Sequence, residues 1–95
     1  MIPDLSPAFK KSLLIKAQNL NPIVRLGNKG LTPTVHHEVD LALEAHELVK
    51  IKISGATAEI RTALYDELSS THHAVKIQKI GHIVVLYRKN NKKSD

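Results

Sequence analysis

The segment from Ile83 to Arg88 constrains the fold most, because it is apolar on both faces. It reads Ile-Val-Val-Leu-Tyr-Arg and is rich in β-branched residues, which favour a strand. A strand with apolar side chains on both faces must be shielded from water on both. The pattern therefore predicts a strand that is central in its sheet or covered on both sides.

Two other segments alternate apolar and polar residues, as half-buried strands do. Between residues 48 and 53, valine and isoleucine at alternate positions are interleaved with Lys50 and Lys52. Residues 75–78 alternate in the same way, and we expect Lys76 to join these two lysines on one open, polar face. Gly81 takes the first position of a two-residue connection to the last strand, which favours a type II′ hairpin. Residues 23–26 form a further short strand.

Three helices are predicted between the strands, each beginning after a hydroxyl residue that can cap it. Ser6-Pro7 and Thr32-Pro33 combine a capping side chain with proline in the first turn, and Thr57 can cap the third helix. Apolar residues then recur at helical spacing, at Phe9, Leu13, Ala17 and Leu20, at Val35, Val39 and Leu43, and at Ile60, Leu64 and Leu68.

The predicted order is helix, strand, helix, strand, helix, strand, strand, which indicates an α/β fold of the α+β-like kind. Strand–helix–strand units should be parallel crossovers, and the final hairpin adds an antiparallel strand. The result is a single domain with a four-stranded mixed sheet and helices packed on it. We expect the first helix to cover part of the polar face, and Tyr87 to belong to the core.

The composition limits the class of protein. A chain of 95 residues makes one domain, here residues 1–88, followed by a polar tail at 89–95 that we expect to be disordered. Cysteine is absent, which excludes disulfides and thiol chemistry. The start of the chain lacks the pattern of a secretion signal, and no apolar run approaches the ~20 residues of a membrane span. We therefore expect a cytoplasmic protein without a membrane partner.

The charges are unevenly distributed along the chain. The net charge is +5, from 14 Lys and Arg against 9 Asp and Glu. Seven of the acids fall in the second and third predicted helices and their ends, and the remainder of the chain is strongly basic. A basic field of this kind favours an anionic partner such as nucleic acid. The acidic helices are most simply a solvated face, and could instead dock a protein.

The loop Gly27-Asn28-Lys29-Gly30 joins a strand to the start of a helix. Two glycines allow a sharp turn and a close approach by a ligand. Asn28 tolerates left-handed backbone angles, Lys29 supplies a positive charge, and a helix N-terminus favours phosphate. A GxxG loop of this kind clamps the nucleic-acid backbone in KH modules, but it also occurs as a purely structural turn. The glycine spacing does not match a Walker A loop.

Catalysis and metal binding are weakly indicated. His36 and Asp40 are four residues apart on a helix and could share an ion, but no third ligand is evident. Ser54, His82 and Asp40 could be assembled on paper into a nucleophilic trio, without the surrounding sequence of a nucleophile elbow. We therefore expect no enzyme activity, no cofactor and no metal site.

The chain as a whole resembles the CRM domain (chloroplast RNA splicing and ribosome maturation) in its stand-alone bacterial form, the YhbY-like proteins. The resemblance covers roughly residues 5–88 and is carried by three segments in order, 22–32, 46–52 and 77–88. It implies a fold similar to the C-terminal domain of bacterial translation initiation factor three. It also implies RNA binding, with the GxxG loop on the RNA side, and association with precursors of the large ribosomal subunit.

The predicted RNA-binding residues come from two sources. The resemblance carries the loop over by position, as Gly27, Asn28, Lys29 and Gly30. The strand and charge patterns add the basic residues Lys10, Lys11, Arg25, Lys50 and Lys52. We predict a monomer that recognises the backbone and shape of ribosomal RNA in ribosome assembly, with ribosomal proteins as further candidate partners. The alternative is a protein-interaction adaptor that uses the acidic faces of the second and third helices.

Overall fold

The structure is a computed structural model that describes residues 5–90. Helices and strands follow the predicted order. They are α1 (Pro7–Gln18), β1 (Val24–Leu26), α2 (Pro33–His46), β2 (Leu48–Ile53), α3 (Ala58–His72), β3 (Val75–Ile80) and β4 (Ile83–Tyr87).

The three capping predictions are confirmed. The hydroxyl oxygens of Ser6, Thr32 and Thr57 each accept a hydrogen bond of 3.2 Å from the backbone N–H three residues later. These bonds satisfy an amide that has no partner within its helix. Leu20, the last apolar position predicted for the first helix, instead lies beyond the end of α1 and is partly exposed.

The four strands form one mixed sheet in the order β1-β2-β4-β3. β1 and β2 are parallel, and β4 is antiparallel to both of its neighbours. The central position predicted for β4 is therefore confirmed, and its residues 84–87 are all buried. Gly81 has a φ of 56° in the β3–β4 connection, as the first position of a type II′ turn requires.

The sheet is covered on both faces. α2 and α3 lie on one face over a large core that includes Leu26, Leu43 and Leu68. α1 lies on the other face, where Leu13 and Ala17 pack against β-strand side chains such as Tyr87. The rings of Phe9 and Tyr87 meet edge to face at 5.4 Å. Both the cover by α1 and the core position of Tyr87 are confirmed.

The expectation that Lys76 shares a face with Lys50 and Lys52 is wrong. Lys76 pairs with Leu86, whose side chain lies in the core beneath α2 and α3, and its ammonium group contacts Asp66 of α3. The sequence alternation identified two faces in β3 but could not show which one meets α1. Lys76 therefore lies on the opposite side of the sheet from the other two lysines.

A β-bulge interrupts the pairing of β3 with β4 between Lys76 and Gln78. The hydroxyl group of buried Tyr65 fills this gap in the ladder. It accepts a hydrogen bond from Gln78 N–H (3.2 Å) and lies within bonding distance of Gln78 O (3.1 Å) and Val85 O (2.5 Å). Burial raises the pKa of Tyr65 to about 12, so the hydroxyl keeps the proton that it donates.

Packing continues past β4 to Asn90, within the predicted tail. Asn90 is 8% exposed, its side-chain amide donates to Glu44 O, and its backbone N–H donates to Glu47 Oε2 at 2.7 Å. These contacts tie the chain after β4 to the end of α2. Residues 91–95, the rest of the predicted tail, lie outside the described residues.

Candidate nucleic-acid interface

The GxxG loop forms a tight turn between β1 and α2. Gly30 N–H donates to Gly27 O at 3.1 Å, which places Asn28 and Lys29 at the tip. Gly30 has a φ of 66°, in the left-handed region that glycine adopts without steric cost. A Cβ atom added at either glycine would meet no atom within 4 Å. The outer side of the turn is therefore open to a ligand that approaches the backbone closely.

A second loop, residues 54–56 between β2 and α3, lies directly beside this turn. Ser54 N–H donates to Leu26 O at 3.0 Å, because the carboxyl ends of parallel β1 and β2 share one edge of the sheet. A Cβ atom at Gly55 would come within 2.8 Å of Asn28 Oδ1. Asn28 does not adopt the left-handed backbone that the sequence allowed. Its side chain instead contacts the second loop, and the two loops border a concavity of about 220 Å³.

Both α2 and α3 begin at this same edge, and their dipoles place partial positive charge there. Few amide groups of α2 remain free for a ligand, however. Pro33 has no N–H, Thr32 Oγ1 accepts the Val35 N–H, and Thr32 O accepts the His36 N–H. The contribution of α2 to anion binding is therefore mainly its dipole, and the exposed turn and the basic side chains must supply direct contacts.

Four of the predicted basic residues lie in the loop or on the two strands that lead to this edge of the sheet. Arg25 of β1 and Lys52 of β2 are Cα partners in adjacent strands, on the sheet face away from α2 and α3. Lys50 follows on the same face, and its Nζ donates to Leu20 O at 3.1 Å. Lys29 is exposed at the tip of the loop. We call Arg25, Lys29, Lys50 and Lys52 the basic strip.

Lys10 and Lys11 do not join the basic strip. They are exposed in the first half of α1, next to Phe9, which contacts Tyr87. Tyr87 pairs with Leu48 at the start of β2, whereas the GxxG loop lies beyond the other end of that strand. The structure therefore places these two lysines at the opposite end of the sheet from the loop.

The acidic residues of α2 and α3 are largely engaged in contacts within the domain. Arg88 lies 3.0 Å from Asp40 Oδ1 and 3.5 Å from Glu44 Oε1. Asp66 pairs with Lys76, as described above, and Glu67 Oε2 lies 3.4 Å from His36 Nε2. These contacts lower the net negative charge that the helices present to a partner.

A histidine pair joins α2 to α3 behind the site. His36 Nδ1 lies 2.9 Å from His72 Nε2, so one nitrogen carries the proton that the other accepts. Burial lowers the pKa of His72, and the nearby positive charges of His36 and Arg88 lower it further. His72 is therefore neutral at neutral pH, and the ring of His36 contacts His72 and Glu67 of α3.

The structure does not assemble the trio Ser54, His82 and Asp40. His82 Nδ1–H donates to Ile53 O at 3.1 Å, and Asp40 is paired with Arg88 on α2. In the described part of the chain, no group of three or more His, Asp and Glu side chains is arranged to hold a metal ion. None of the helices within residues 5–90 is long and apolar enough to cross a membrane.

The second loop and the β3–β4 turn are parts of this edge that the sequence did not assign to the site. Residues 54–56 border the GxxG turn, and His82 is bonded to Ile53 beside them. The predicted parallel pairing of β1 and β2 could have placed the second loop beside the GxxG loop, because the carboxyl ends of parallel neighbours lie at the same edge of a sheet.

Comparisons with known proteins agree on one family. The model of the CRS1 / YhbY (CRM) domain matches residues 5–88. A Haemophilus influenzae protein named "RNA-binding protein" is 43% identical over 88% of this chain and 85% of its own length. A Pseudomonas aeruginosa protein named as a probable RNA-binding protein is 37% identical over 93% of this chain and 85% of its own length.

A solved structure shares the fold over nearly the whole chain. It is the solution structure of a Staphylococcus aureus protein described as a candidate RNA-binding protein, with a TM-score of 0.81 and 26% identity. The match covers 96% of this chain and 95% of the other. The order of helices and strands described above is therefore that of a known fold.

Proposed function

Since the chain belongs to the CRS1 / YhbY (CRM) domain family, we propose that it binds RNA through the GxxG loop and the basic strip. The observation that carries the proposal is the edge where β1 and β2 end. There an open glycine turn lies beside the starts of two helices, and Arg25 and Lys52 of the basic strip are paired one residue before the strand ends.

The physical basis of binding is phosphate recognition. Lysine and arginine side chains displace counterions from the RNA backbone, and the affinity then depends steeply on salt. The glycine turn lets a phosphate group approach the backbone of Asn28 and Lys29. Structured RNA is recognised mainly by shape and backbone, which suits a basic strip that contains no aromatic residue.

We further propose that the RNA is ribosomal, and that the protein acts in the cytoplasm as an assembly factor on precursors of the large ribosomal subunit. This proposal rests on the resemblance to the stand-alone bacterial proteins of the family. It needs no catalytic group, cofactor or metal ion. The adaptor alternative is less favoured, because most of the acids on α2 and α3 already contact basic or amide groups of the same domain.

The test is a binding titration with large-subunit ribosomal RNA at several salt concentrations. Wild type is compared with Lys29→Ala and with the control Lys89→Ala. The control also removes one lysine charge, but Lys89 follows β4 at the end of the sheet away from the GxxG loop. For each phosphate contact, the slope of log affinity against log salt is about 0.7 to 0.9. We expect the slope of log affinity against log salt to be shallower for Lys29→Ala than for wild type by about the slope of one phosphate contact. The slope for Lys89→Ala should be nearly that of wild type.

Three outcomes separate the proposals. Equal binding by wild type and both variants would move the RNA site away from the loop. Absence of binding by the folded wild type at any salt concentration would refute RNA binding. Binding to ribosomal RNA that is no tighter than to an unrelated RNA of equal length would refute the assembly role.

A further inference from the structure

A concavity lies at the end of α1, beside the basic strip. It has a volume of about 630 Å³, within the range of small-molecule sites. Its apolar part consists of Leu20, Ile23 and Leu48. Leu20 and Ile23 are 38% and 53% exposed, so they present apolar surface to a ligand. We call this concavity the α1 groove.

The polar groups around the α1 groove are cationic or neutral. Lys16, His46 and Lys50 line it together with the amide side chains of Asn19 and Asn21, and no carboxylate is among the lining residues. The nearest acid along the chain, Glu47, is bonded to Asn90 N–H. An occupant of matching chemistry therefore has an apolar part, hydrogen-bonding groups and negative charge.

The α1 groove is continuous with the basic strip. Lys50 belongs to both, and Ile23 N–H donates to Lys50 O at 3.1 Å where β1 approaches β2. From Lys50 the strip continues along the same sheet face to Lys52, Arg25 and the GxxG loop. A ligand whose backbone follows the strip would reach the groove at its far end.

We propose that the α1 groove holds one unpaired nucleotide of the bound RNA. The base lies on the side chains of Leu20, Ile23 and Leu48, its edge meets the amides of Asn19 and Asn21, and its phosphate meets Lys16 and Lys50. A base inside a duplex is stacked and cannot enter, so the groove selects RNA with a bulge or loop. This inference rests on the proposed function, since it adds a base-binding site to the phosphate-binding loop.

The experiment uses two RNA hairpins of the same stem, one fully paired and one with a single bulged 2-aminopurine. Wild type is compared with Ile23→Ser, which removes an apolar contact without changing charge. The control is Leu41→Ser on α2, where Leu41 is 54% exposed. Thermal unfolding of each variant establishes that it is folded. Lys29→Ala reports separately on the loop.

We expect wild type to bind the bulged hairpin about tenfold more tightly than the paired one, because burying an exposed aliphatic side chain against the base contributes about this much. Ile23→Ser should lose this preference and still bind the paired hairpin, whereas Leu41→Ser should keep it. Lys29→Ala should weaken both hairpins equally. The fluorescence of the 2-aminopurine should rise on binding, because the base leaves its stack for a groove that no tyrosine or phenylalanine lines.

Equal binding of the two hairpins by wild type would overturn the base site while leaving RNA binding by the loop intact. Equal effects of Ile23→Ser and Leu41→Ser would also overturn it. Failure of both hairpins and of ribosomal RNA to bind would refute the proposed function itself. If an acidic peptide with one leucine binds in an Ile23-dependent manner and the bulged hairpin does not, the groove is a protein-docking site and the proposal is wrong.

Discussion

Replacing Tyr65 by phenylalanine should lower the free energy of unfolding by about 2 kcal/mol. The Tyr65 hydroxyl group lies at the β-bulge of β3, where it accepts a hydrogen bond from Gln78 N–H and donates one to Val85 O. A buried polar group left without a partner costs about 1–3 kcal/mol. Val85 is only 1% exposed, so its carbonyl should carry most of this cost, whereas water can reach the half-buried Gln78.

The assay is urea unfolding at neutral pH, with thermal unfolding as a second measure. In a domain of this size, 2 kcal/mol corresponds to a fall in Tm of about 8–16 °C. Tyr87→Phe is the matched control, because within residues 5–90 the hydroxyl of Tyr87 makes no hydrogen bond in the structure. Its cost should stay within about 0.5 kcal/mol.

The alkaline pH dependence gives the same prediction a second measure. An unfolded tyrosine loses its proton near pH 10, whereas burial raises the pKa of Tyr65 to about 12. Between these values the unfolded state binds fewer protons, so the stability that Tyr65 contributes falls as pH rises, by at most about 1.4 kcal/mol per pH unit. The gap between wild type and Tyr65→Phe should therefore narrow from about pH 10 upwards.

The reasoning would be refuted if Tyr65→Phe and Tyr87→Phe were equally stable at neutral pH. It would also fail if the gap between wild type and Tyr65→Phe stayed constant through the alkaline range. Burial raises the pKa of Tyr87 as well, but Tyr87 is present in both proteins of that comparison, so its titration cancels.

Three further predictions concern the site and its support. Gly55→Ala should displace Asn28 and weaken RNA binding in a titration, whereas Gly81→Ala, with a similar positive φ and no atom within 4 Å of the new Cβ, should share only the loss of stability, about 1–2 kcal/mol. Burial lowers the pKa of His72, so as pH falls below about 6.5 the unfolded state binds the His72 proton before the folded state does, and the free energy of unfolding should decrease. In urea titrations at decreasing pH, His72→Gln should lose less stability than wild type. Thr32→Ala should cost about 1 kcal/mol in the same assay through loss of the α2 cap, and an unchanged midpoint would contradict that role.

Much of the fold could be predicted because local patterns and tertiary structure agree. The apolar faces of residues 83–88 required a covered strand, and the hydroxyl caps located the helix starts within a residue. Lys76 was assigned to the wrong face because alternation shows that a strand has two faces but not which one meets a given helix. The adjacent bulge is equally invisible in the sequence, since it depends on pairing with β4.

The candidate site was predicted less completely, because it is built from neighbours in space. The GxxG loop is a local motif and could be found directly. Residues 54–56 lie beside it only because β1 and β2 are parallel neighbours. Lys10 and Lys11 are basic and exposed, but the direction of α1 places them at the other end of the sheet. Which residues lie near the GxxG loop therefore depends on the direction of each helix and on which strands are neighbours, and both are determined only in the assembled sheet.

The central position of β4 has a consequence for how the domain folds during synthesis. β4 is the common partner of β2 and β3, yet the ribosome makes it after both of them. Until residues 83–87 leave the exit tunnel, β2 and β3 have no shared neighbour, although α2 can already pack on the paired strands β1 and β2. We therefore expect the four-stranded sheet to be completed late in synthesis, when β4 joins β2 to β3.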